Sequence, residues 1–382
     1  MDFALSADEA LFRQTVREFA QTALTPYAAE ADATGAFPPA VLRQLAAFGL
    51  TGLLVPEAYD GAGVDTLRFV LALEEVARVS AALAAVLNAH NALVCAALAQ
   101  AGTPAQQARW LPALARGDLL GACGLAEPEG GCDLTRLCTR AVPVGTAWQL
   151  DGQKCSVRNG GLAGLYVIYA VTDPAAAPPG VSAFLVARDT PGLQVGPPLE
   201  TMGLRGLAMS DVALVACGVP REALLGVEHR GHALATATCA LARLGTAAQA
   251  LGIAQSALDA ALAYVQERRQ FGRPIAQFEG VRWLLADLHR ALEAARLLTY
   301  RAAWLRDRGQ PFAAAAAMAR LQATETATQA TIKAVQLFGG YGYMAEAAVQ
   351  RHLRDAQMTA IDEGLPGSTR AALADALLPP PP

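Results

Sequence analysis

Two adjacent carboxylates near the C-terminus are the side chains of this sequence best placed for proton transfer. Asp362 and Glu363 stand in "LRDAQMTAIDEGLPGSTR" (353–370), where a helix-like stretch runs into a Gly- and Pro-containing turn. A carboxylate in a dry pocket has a raised pKa and can act as a general base. On spacing alone, the pair could equally well cap a helix or face solvent, so the two acids by themselves do not decide the chemistry.

The cysteines and histidines do not form a recognisable metal site. The seven cysteines include no C-x-x-C pair, and the five histidines show no ligand spacing, so we do not expect a zinc site. An odd, scattered set of cysteines is typical of reduced thiols and predicts a cytoplasmic protein. No G-x-G-x-x-G follows a strand and no P-loop is present, which argues against a Rossmann nucleotide site.

The composition is that of a globular chain without an obvious affinity for nucleic acid or anionic lipid. Of 382 residues, 53% are hydrophobic and 17% charged, and the formal net charge is −4 with no block of like charge. The most apolar stretch (81–100) carries Asn88, His90 and Asn91 at its centre, so it predicts a buried helix and not a membrane span. The N-terminus has no basic region before an apolar core, so we expect no signal peptide.

The elements that must position the acids fall into three parts. Residues 1–120 show helical periodicity and begin with Ser6 and Glu9 in capping-box spacing. Residues 121–228 are richer in Gly and Pro and contain short apolar runs, which indicates a β-domain. Residues 229–382 return to long, Ala-rich helical patterns that predict a helical bundle.

Within the β-domain, several strands are predicted. "AWQLDGQKCSV" (147–157) contains Asp-Gly, a hairpin signal, so two short strands are expected there. Further strand candidates are 165–171, 180–187 and 210–216.

In the C-terminal region, three long helices and a shorter fourth predict a four-helix bundle. "FGRP", "RGQP" and "FGGYGY" are the predicted helix stops. The fold class is therefore mainly α with an inserted β-domain.

The chain resembles the acyl-CoA dehydrogenase family over nearly its whole length. The resemblance rests on "GLTGLLVPEAYDGAGVD", "LPALARGDLLGACGLAEPEGGCD", "DGQKCSVRNG", "MGLRG", "ERRQFGRPIAQFEG", "QLFGGYGY" and "RDAQMTAIDEG", which occur in the family's order and spacing. It implies an α, β-barrel-like, α four-helix-bundle subunit, FAD as cofactor, and a homotetramer or homodimer. It also implies oxidation of an acyl thioester to the α,β-enoyl thioester, with an electron-transferring flavoprotein or another acceptor as partner.

The resemblance implies that Glu363 is the base that removes the α-proton, with Gly364 leaving room for the thioester. Asp362 departs from the family, which usually has an aromatic residue there, and we expect it to point elsewhere. Arg243 matches a family arginine close to the base, although an ordinary interhelical salt bridge is the alternative. A subgroup of the family carries its base near position 242, where this chain has Ala242.

A second set of positions matches family contacts to the FAD of a neighbouring subunit: Arg268, Phe271, Gln336, Gly339 and Gly340. The arginine supplies fixed positive charge for a pyrophosphate, and the two glycines allow close backbone approach. The alternative is a helix-end arginine followed by a Gly C-cap.

The positions that match flavin-ring contacts depart most from the family. They are Leu125, Ala126, Ser156, Val157, Arg158 and Leu365, with Cys132 on the substrate side. The family usually has Thr at 126, Ser at 132, Trp at 156, Ser or Thr at 158 and Thr at 365. Backbone N–H groups at 125–126 and 156–158 can still hold the ring, and Arg158 either stabilises reduced flavin or faces solvent.

Two functions therefore remain open at this point. The first is a flavin-dependent acyl-thioester dehydrogenase. The second is a family-fold flavoprotein with altered or lost activity, either an oxidase-type enzyme or a non-catalytic subunit, and the changed ring positions keep this alternative open, whereas the motifs in all three domains and Glu363 favour the first. The acyl chain, and whether CoA or a carrier protein bears it, do not follow from the sequence.

Overall fold

The computed structural model describes residues 4–176, 178–361 and 366–378. A sheet separates two helical regions along the chain, which confirms the predicted fold class. The N-terminal helices are α1 (Ala7–Phe19), α2 (Thr25–Thr34), α3 (Pro39–Ala47), α4 (Thr66–Val79), α5 (Ala81–Asn88), α6 (Ala96–Ala101) and α7 (Pro104–Ala115).

The first helix begins at the predicted capping box. The Glu9 N–H donates to Ser6 Oγ over 3.3 Å, and the Ser6 N–H donates to Glu9 Oε2 over 2.7 Å. Each side chain thus accepts a hydrogen bond from a backbone N–H that has no partner within the helix.

The apolar stretch after residue 80 is a core element, as predicted. Ser80 interrupts the helical pattern, so α4 and α5 are two helices, and its Oγ accepts from the Leu83 N–H at the start of α5. Helix Ala81–Ala101, with a π-helical segment at Ala89–Cys95, is long and apolar enough to cross a membrane by length and composition alone, and its apolar window is wholly buried inside the fold.

In the described part of the chain, eight strands form the central sheet, in the order β6-β7-β3-β2-β4-β5-β8, with β1 parallel to β4. They are β1 (Gly121–Gly124), β2 (Arg140–Val144), β3 (Ala147–Val157), β4 (Leu165–Asp173), β5 (Gly180–Ala187), β6 (Leu193–Pro198), β7 (Ser210–Pro220) and β8 (Leu224–Leu225). The three apolar runs predicted as strands are β4, β5 and the first part of β7.

The predicted hairpin at Asp151-Gly152 is wrong, because β3 runs unbroken through it. The turn lies earlier, at Gly145, where φ is +56°. A Cβ added to Gly152 would lie 2.4 Å from Thr139 Oγ1, so this glycine permits close packing and makes no turn. The Asp151 carboxylate accepts from the Ala216 N–H of β7 over 2.6 Å, where the pairing of β3 with β7 shifts register.

The C-terminal region contains long helices that end at the predicted stops. A two-stranded ladder of β9 (Arg269–Gln270) and β10 (Arg273–Pro274) lies in the connection between the first and second of them. The helices are α8 (Gly231–Glu267), α9 (Glu279–Asp307), α10 (Ala313–Phe338), α11 (Ala348–Ile361) and α12 (Pro366–Leu377).

The two helical regions share one hydrophobic core. A Cβ added to Gly252 of α8 would lie 2.3 Å from the Glu74 carbonyl oxygen, and one added to Gly245 would lie 2.0 Å from Asn88 Oδ1. The buried Glu74 carboxylate pairs with Arg296 of α9 at 2.9 Å. Helices α4 and α5 therefore pack directly on the bundle, and the sheet lies against this common core.

Candidate active site

The structure brings together the two backbone segments that the resemblance assigns to a flavin ring. Leu125 and Ala126 follow β1, and Ser156, Val157 and Arg158 lie at the end of β3. The N–H of Cys155, the residue before Ser156, donates to the Ala126 carbonyl oxygen over 2.9 Å. This hydrogen bond makes the segments 125–126 and 156–158 neighbours.

Strand β3 is bulged at this point. Its pairing with β7 shifts between Lys154 and Val157, and Ser156 has a φ of +52°. The Ser156 N–H donates to Asp211 Oδ1 over 2.8 Å, which holds the bulge. A positive φ at a residue other than glycine is uncommon, and both bulges and backbone strain are concentrated near active sites.

The buried side chain of Arg158 lies at the position where the resemblance implies a Ser or Thr hydroxyl group. Arg158 is only 9% exposed. Burial, with a contribution from the neighbouring Cys239 thiol, raises the pKa of Cys123 above its ordinary value, and the positive charge of Arg158 opposes this rise. The exposed Cys132 also contributes to raising the pKa of Cys123.

Arg243 lies on α8, next to the fully buried Ala242. Its Nε is buried and has no hydrogen-bond partner in the part of the chain that the structure describes. A buried donor of this kind calls for an acceptor, such as a carboxylate or a substrate carbonyl.

Four predicted residues, in the segment that the sequence predicts as a turn and that we call the base loop, lie outside the described residues. They are Asp362, Glu363, Gly364 and Leu365.

One buried arginine joins the helices on either side of that loop, and sequence reasoning missed it. Arg320 of α10 is 1% exposed and donates to Thr369 Oγ1 of α12 over 2.6 Å. It also donates to the carbonyl oxygens of Ala360 and Thr359 at the end of α11, over 3.1 and 3.3 Å. A single cationic residue in the Ala-rich run 313–321 is the sequence signal that could have identified it.

Three of the five residues in the second predicted set line a concave site between the ends of α8 and α10. Arg268, Gly339 and Gly340 line a cavity of about 510 Å³ together with Tyr264 and Tyr341. The Arg268 guanidinium carbon lies 5.7 Å from the centre of the Tyr341 ring. Gly339 has a φ of +60°, and a Cβ added to either glycine would meet nothing within 4 Å, so a ligand can approach this backbone.

Phe271 and Gln336 belong to the same neighbourhood but do not line the cavity within the described part of the chain. Phe271 is 93% exposed and has a φ of +51°. Gln336 is exposed and accepts a hydrogen bond from Lys333 Nζ over 3.3 Å. Both side chains are available to a partner molecule, whereas Arg268 and the glycines form the concave surface.

These features fit the FAD that the resemblance implies. The cavity offers a guanidinium and open backbone, the groups that bind a pyrophosphate, and the bulged segments offer backbone beside a buried cation. Among residues 4–176, 178–361 and 366–378, no group of three or more His, Cys, Asp or Glu side chains is arranged to hold a metal ion.

Comparison with known proteins gives matches along the whole chain. Three family models match in order: the N-terminal domain of acyl-CoA dehydrogenase at residues 6–118, its middle domain at 122–217 and its C-terminal domain at 229–378. A short-chain specific acyl-CoA dehydrogenase of Clostridium acetobutylicum is 40% identical over 364 residues, covering 95% of this chain and 96% of that protein.

Solved structures agree with this match. Butyryl-CoA dehydrogenase from Megasphaera elsdenii superposes with a TM-score of 0.96 at 37% identity, covering 99% of this chain and 100% of that one. A chain solved in work on the electron transferring flavoprotein of Acidaminococcus fermentans gives a TM-score of 0.96 at 37% identity, with 100% of both chains covered.

Proposed function

The chain belongs to the acyl-CoA dehydrogenase family, and from that premise we propose that it oxidises short-chain acyl-CoA thioesters with Glu363 as the base. It is a flavin-dependent oxidoreductase that acts on the CH–CH bond of an acyl thioester, with FAD as its cofactor. The observation that carries the finer proposal is the 40% identity, over 95% of the chain, to a short-chain specific enzyme. The comparisons favour this function over a flavoprotein that has lost its dehydrogenase activity.

The reaction requires two acceptors on opposite faces of the Cα–Cβ bond. FAD, when bound, supplies the acceptor for the β-hydride. A carboxylate must take the α-proton, which is only weakly acidic, so the base has to be desolvated and close to the substrate. Negative charge grows on the thioester oxygen, which therefore needs hydrogen-bond donors.

We assign proton removal to Glu363 because the family motif places the base there. Ala242, the alternative position in a subgroup of the family, is fully buried on α8 and carries no acid. Arg243 on the same helix has a buried Nε in need of an acceptor, which suits it to orient a carboxylate or the substrate. Arg320 fixes the helix ends on both sides of the base loop.

The residues that hold FAD are proposed as two groups. Backbone at 125–126 and 156–158 receives the ring, and Arg268 with Gly339 and Gly340 receives the pyrophosphate of a second copy's FAD. This division requires a homo-oligomer, either a dimer or a tetramer. The exposed positions of Phe271 and Gln336 support a contact with another subunit.

We propose an electron-transferring flavoprotein as the acceptor of the electrons. The match to a chain solved in work on such a flavoprotein supports this partner. The seven cysteines are free thiols, which supports a cytoplasmic location.

Rapid mixing under anaerobic conditions tests the assignment of the base. Glu363→Gln keeps the size of the side chain but cannot accept the proton, so it should retain FAD and slow flavin reduction by butyryl-CoA by roughly 10²–10⁴-fold or more. Asp362→Asn is the matched control and should slow the reduction far less. Reduction of Glu363→Gln at the wild-type rate would place the base elsewhere, and loss only in Asp362→Asn would exchange the two roles.

The same assay tests the substrate. Butyryl-CoA should reduce the flavin faster than palmitoyl-CoA, and faster than a butyryl group on a carrier protein. A preference for the long chain or for the carrier thioester would contradict the short-chain CoA proposal while leaving the dehydrogenase reaction intact.

A further inference from the structure

A buried ion pair ties the two flavin-ring segments to each other. Lys154 on β3 is 0% exposed, and Glu127, two residues beyond Leu125, is 3% exposed. Lys154 Nζ lies 2.7 Å from Glu127 Oε1 and 3.5 Å from the Leu125 carbonyl oxygen. The side chain of the β3 residue therefore reaches across to the loop that carries 125–126.

Both oxygens of the Glu127 carboxylate accept hydrogen bonds. Besides Lys154, Glu127 accepts from the Cys138 N–H at Oε2 over 2.5 Å and from the Thr139 N–H at Oε1 over 3.0 Å. Both oxygens accept backbone hydrogen bonds, which an amide side chain could not reproduce, since it has one accepting atom. Burial by itself would raise the pKa of Glu127, but the charge of Lys154 and these hydrogen bonds lower it below its ordinary value.

The stem of the lysine packs against Gly124 of β1. A Cβ added to Gly124 would lie 3.0 Å from Lys154 Cγ and 2.7 Å from Ile168 Cδ1, so glycine at this position leaves room for the stem. Directly after Lys154 the strand bulges, and Ser156 adopts its φ of +52°. Strained backbone persists only where its surroundings over-determine it, and here the anchors are Lys154 on one side and Asp211 on the other.

We propose that Lys154 and Glu127 are positioning residues for the flavin: their ion pair sets the spacing between 125–126 and the bulged segment 155–158. This inference rests on the proposed placement of the ring at these segments. The pair touches neither substrate nor the reacting atoms. Its effect is on where the ring-binding backbone lies, and therefore on cofactor affinity and on the electronic environment of the ring.

The test measures FAD binding to apoprotein and the visible spectrum of the bound flavin. Glu127→Gln and Lys154→Met should each weaken FAD binding roughly tenfold to a hundredfold, as expected for the loss of a charge-assisted hydrogen bond, and should shift the flavin absorption bands. The double variant Lys154→Met/Glu127→Gln leaves no unpaired buried charge, so it should fold more readily than Lys154→Met while still binding FAD weakly.

Two controls separate positioning from general destabilisation. Arg116→Met removes exposed ion pairs with Asp60 and Asp118 and should leave FAD affinity and spectrum unchanged. Thr51→Val removes a buried hydrogen bond of 2.7 Å to the Ala115 carbonyl oxygen, in which no residue of the ring segments takes part, and should lower the melting temperature without altering the flavin bands. The positioning role is wrong if the ion-pair variants keep the wild-type FAD affinity and spectrum. It is also wrong if their loss of FAD affinity only follows a fall in melting temperature and Thr51→Val loses as much affinity at the same melting temperature.

These measurements are independent of turnover. If the flavin binds as predicted but no acyl thioester reduces it, the proposed reaction fails and the positioning role stands. Should Lys154→Met not fold, Glu127→Gln and the double variant decide the outcome by the same two readouts.

Discussion

At the scale of single residues, the site is marked by a serine in a strained conformation. Ser156 is exposed, and its φ of +52° lies in the left-handed region. The family has a tryptophan at the matching position, where it packs on the ring. We predict that the smaller side chain leaves space beside the proposed ring position.

Restoring bulk at this position should alter the flavin. We expect Ser156→Trp to shift the absorption bands or the reduction potential of the bound flavin, because a ring placed there changes its polarity and solvent access. Ser156→Gly is the control, since it relieves the positive φ without adding a ring. If neither the spectrum nor the reduction potential changes in Ser156→Trp, residue 156 does not contact the flavin. The match of "DGQKCSVRNG" to the family's flavin-ring segment is then wrong.

At the scale of elements, helix α11 is held by the loop 202–206. The Leu204 N–H donates to Asp355 Oδ1 over 2.7 Å, and Leu204 has a φ of +50°. The next residue back along α11, Arg354, forms a bidentate pair with Asp32 of α2 at 2.6 and 2.8 Å. A Cβ added to Gly203 would lie 2.3 Å from the Arg354 carbonyl oxygen. The helix that leads into the base loop is thus fixed against both the β-domain and the N-terminal helices.

Asp355 makes this junction sensitive to pH. Burial raises the pKa of Asp355 to about 6, while the hydrogen bond from Leu204 and the charges of Arg351 and Arg354 lower it and the charge of Asp32 raises it. The folded chain therefore binds this proton more tightly than the unfolded chain, whose pKa is near 3.8. The contribution of Asp355 to stability is greatest at low pH and is lost as the pH rises through about 6.

Asp355→Asn should remove this pH-dependent contribution to stability. The amide oxygen still accepts from Leu204, and no charge is buried at neutral pH. We expect the difference in unfolding free energy between Asp355→Asn and wild type to grow in favour of the variant by about 2 kcal/mol between pH 4 and pH 7, measured by urea denaturation. Asp287→Asn, on an exposed part of α9, should run parallel to wild type. Parallel curves for Asp355→Asn as well would show that residue 355 is not buried as a charged group.

At the scale of the whole molecule, FAD binding and assembly should be linked. If Arg268 and Gly340 contact a second copy's FAD, the cofactor stabilises the assembled state by mass action. Arg268→Ala should therefore lose FAD and loosen the oligomer together, as seen by absorbance during size-exclusion chromatography. Arg290→Ala, at an exposed position on α9, is the matched control. A fully flavinylated Arg268→Ala protein with an unchanged oligomer would argue against a shared site.

The sequence by itself determined the features that depend on residues close together in the chain. The Ser6–Glu9 capping box, the helix stops at 267, 307 and 338, and the apolar runs of β4 and β5 all follow from patterns within a few positions. The ordered motifs then identified the family, and with it the cofactor and the class of reaction. The assignment of Glu363, Arg268 and the ring positions stays a prediction.

Only the tertiary structure decided which distant groups meet. The Asp-Gly pair at 151–152 has the composition of a turn, yet pairing with β7 and packing of Thr139 on Gly152 keep β3 continuous through it. The partners of Lys154, Arg320 and Asp355 lie 27, 39 to 49 and 151 positions away in sequence. Their contacts depend on how separate strands and helices pack, because the cost of burying a charge is offset only where a partner from another element lies beside it. A local sequence pattern does not indicate which distant residue that partner is.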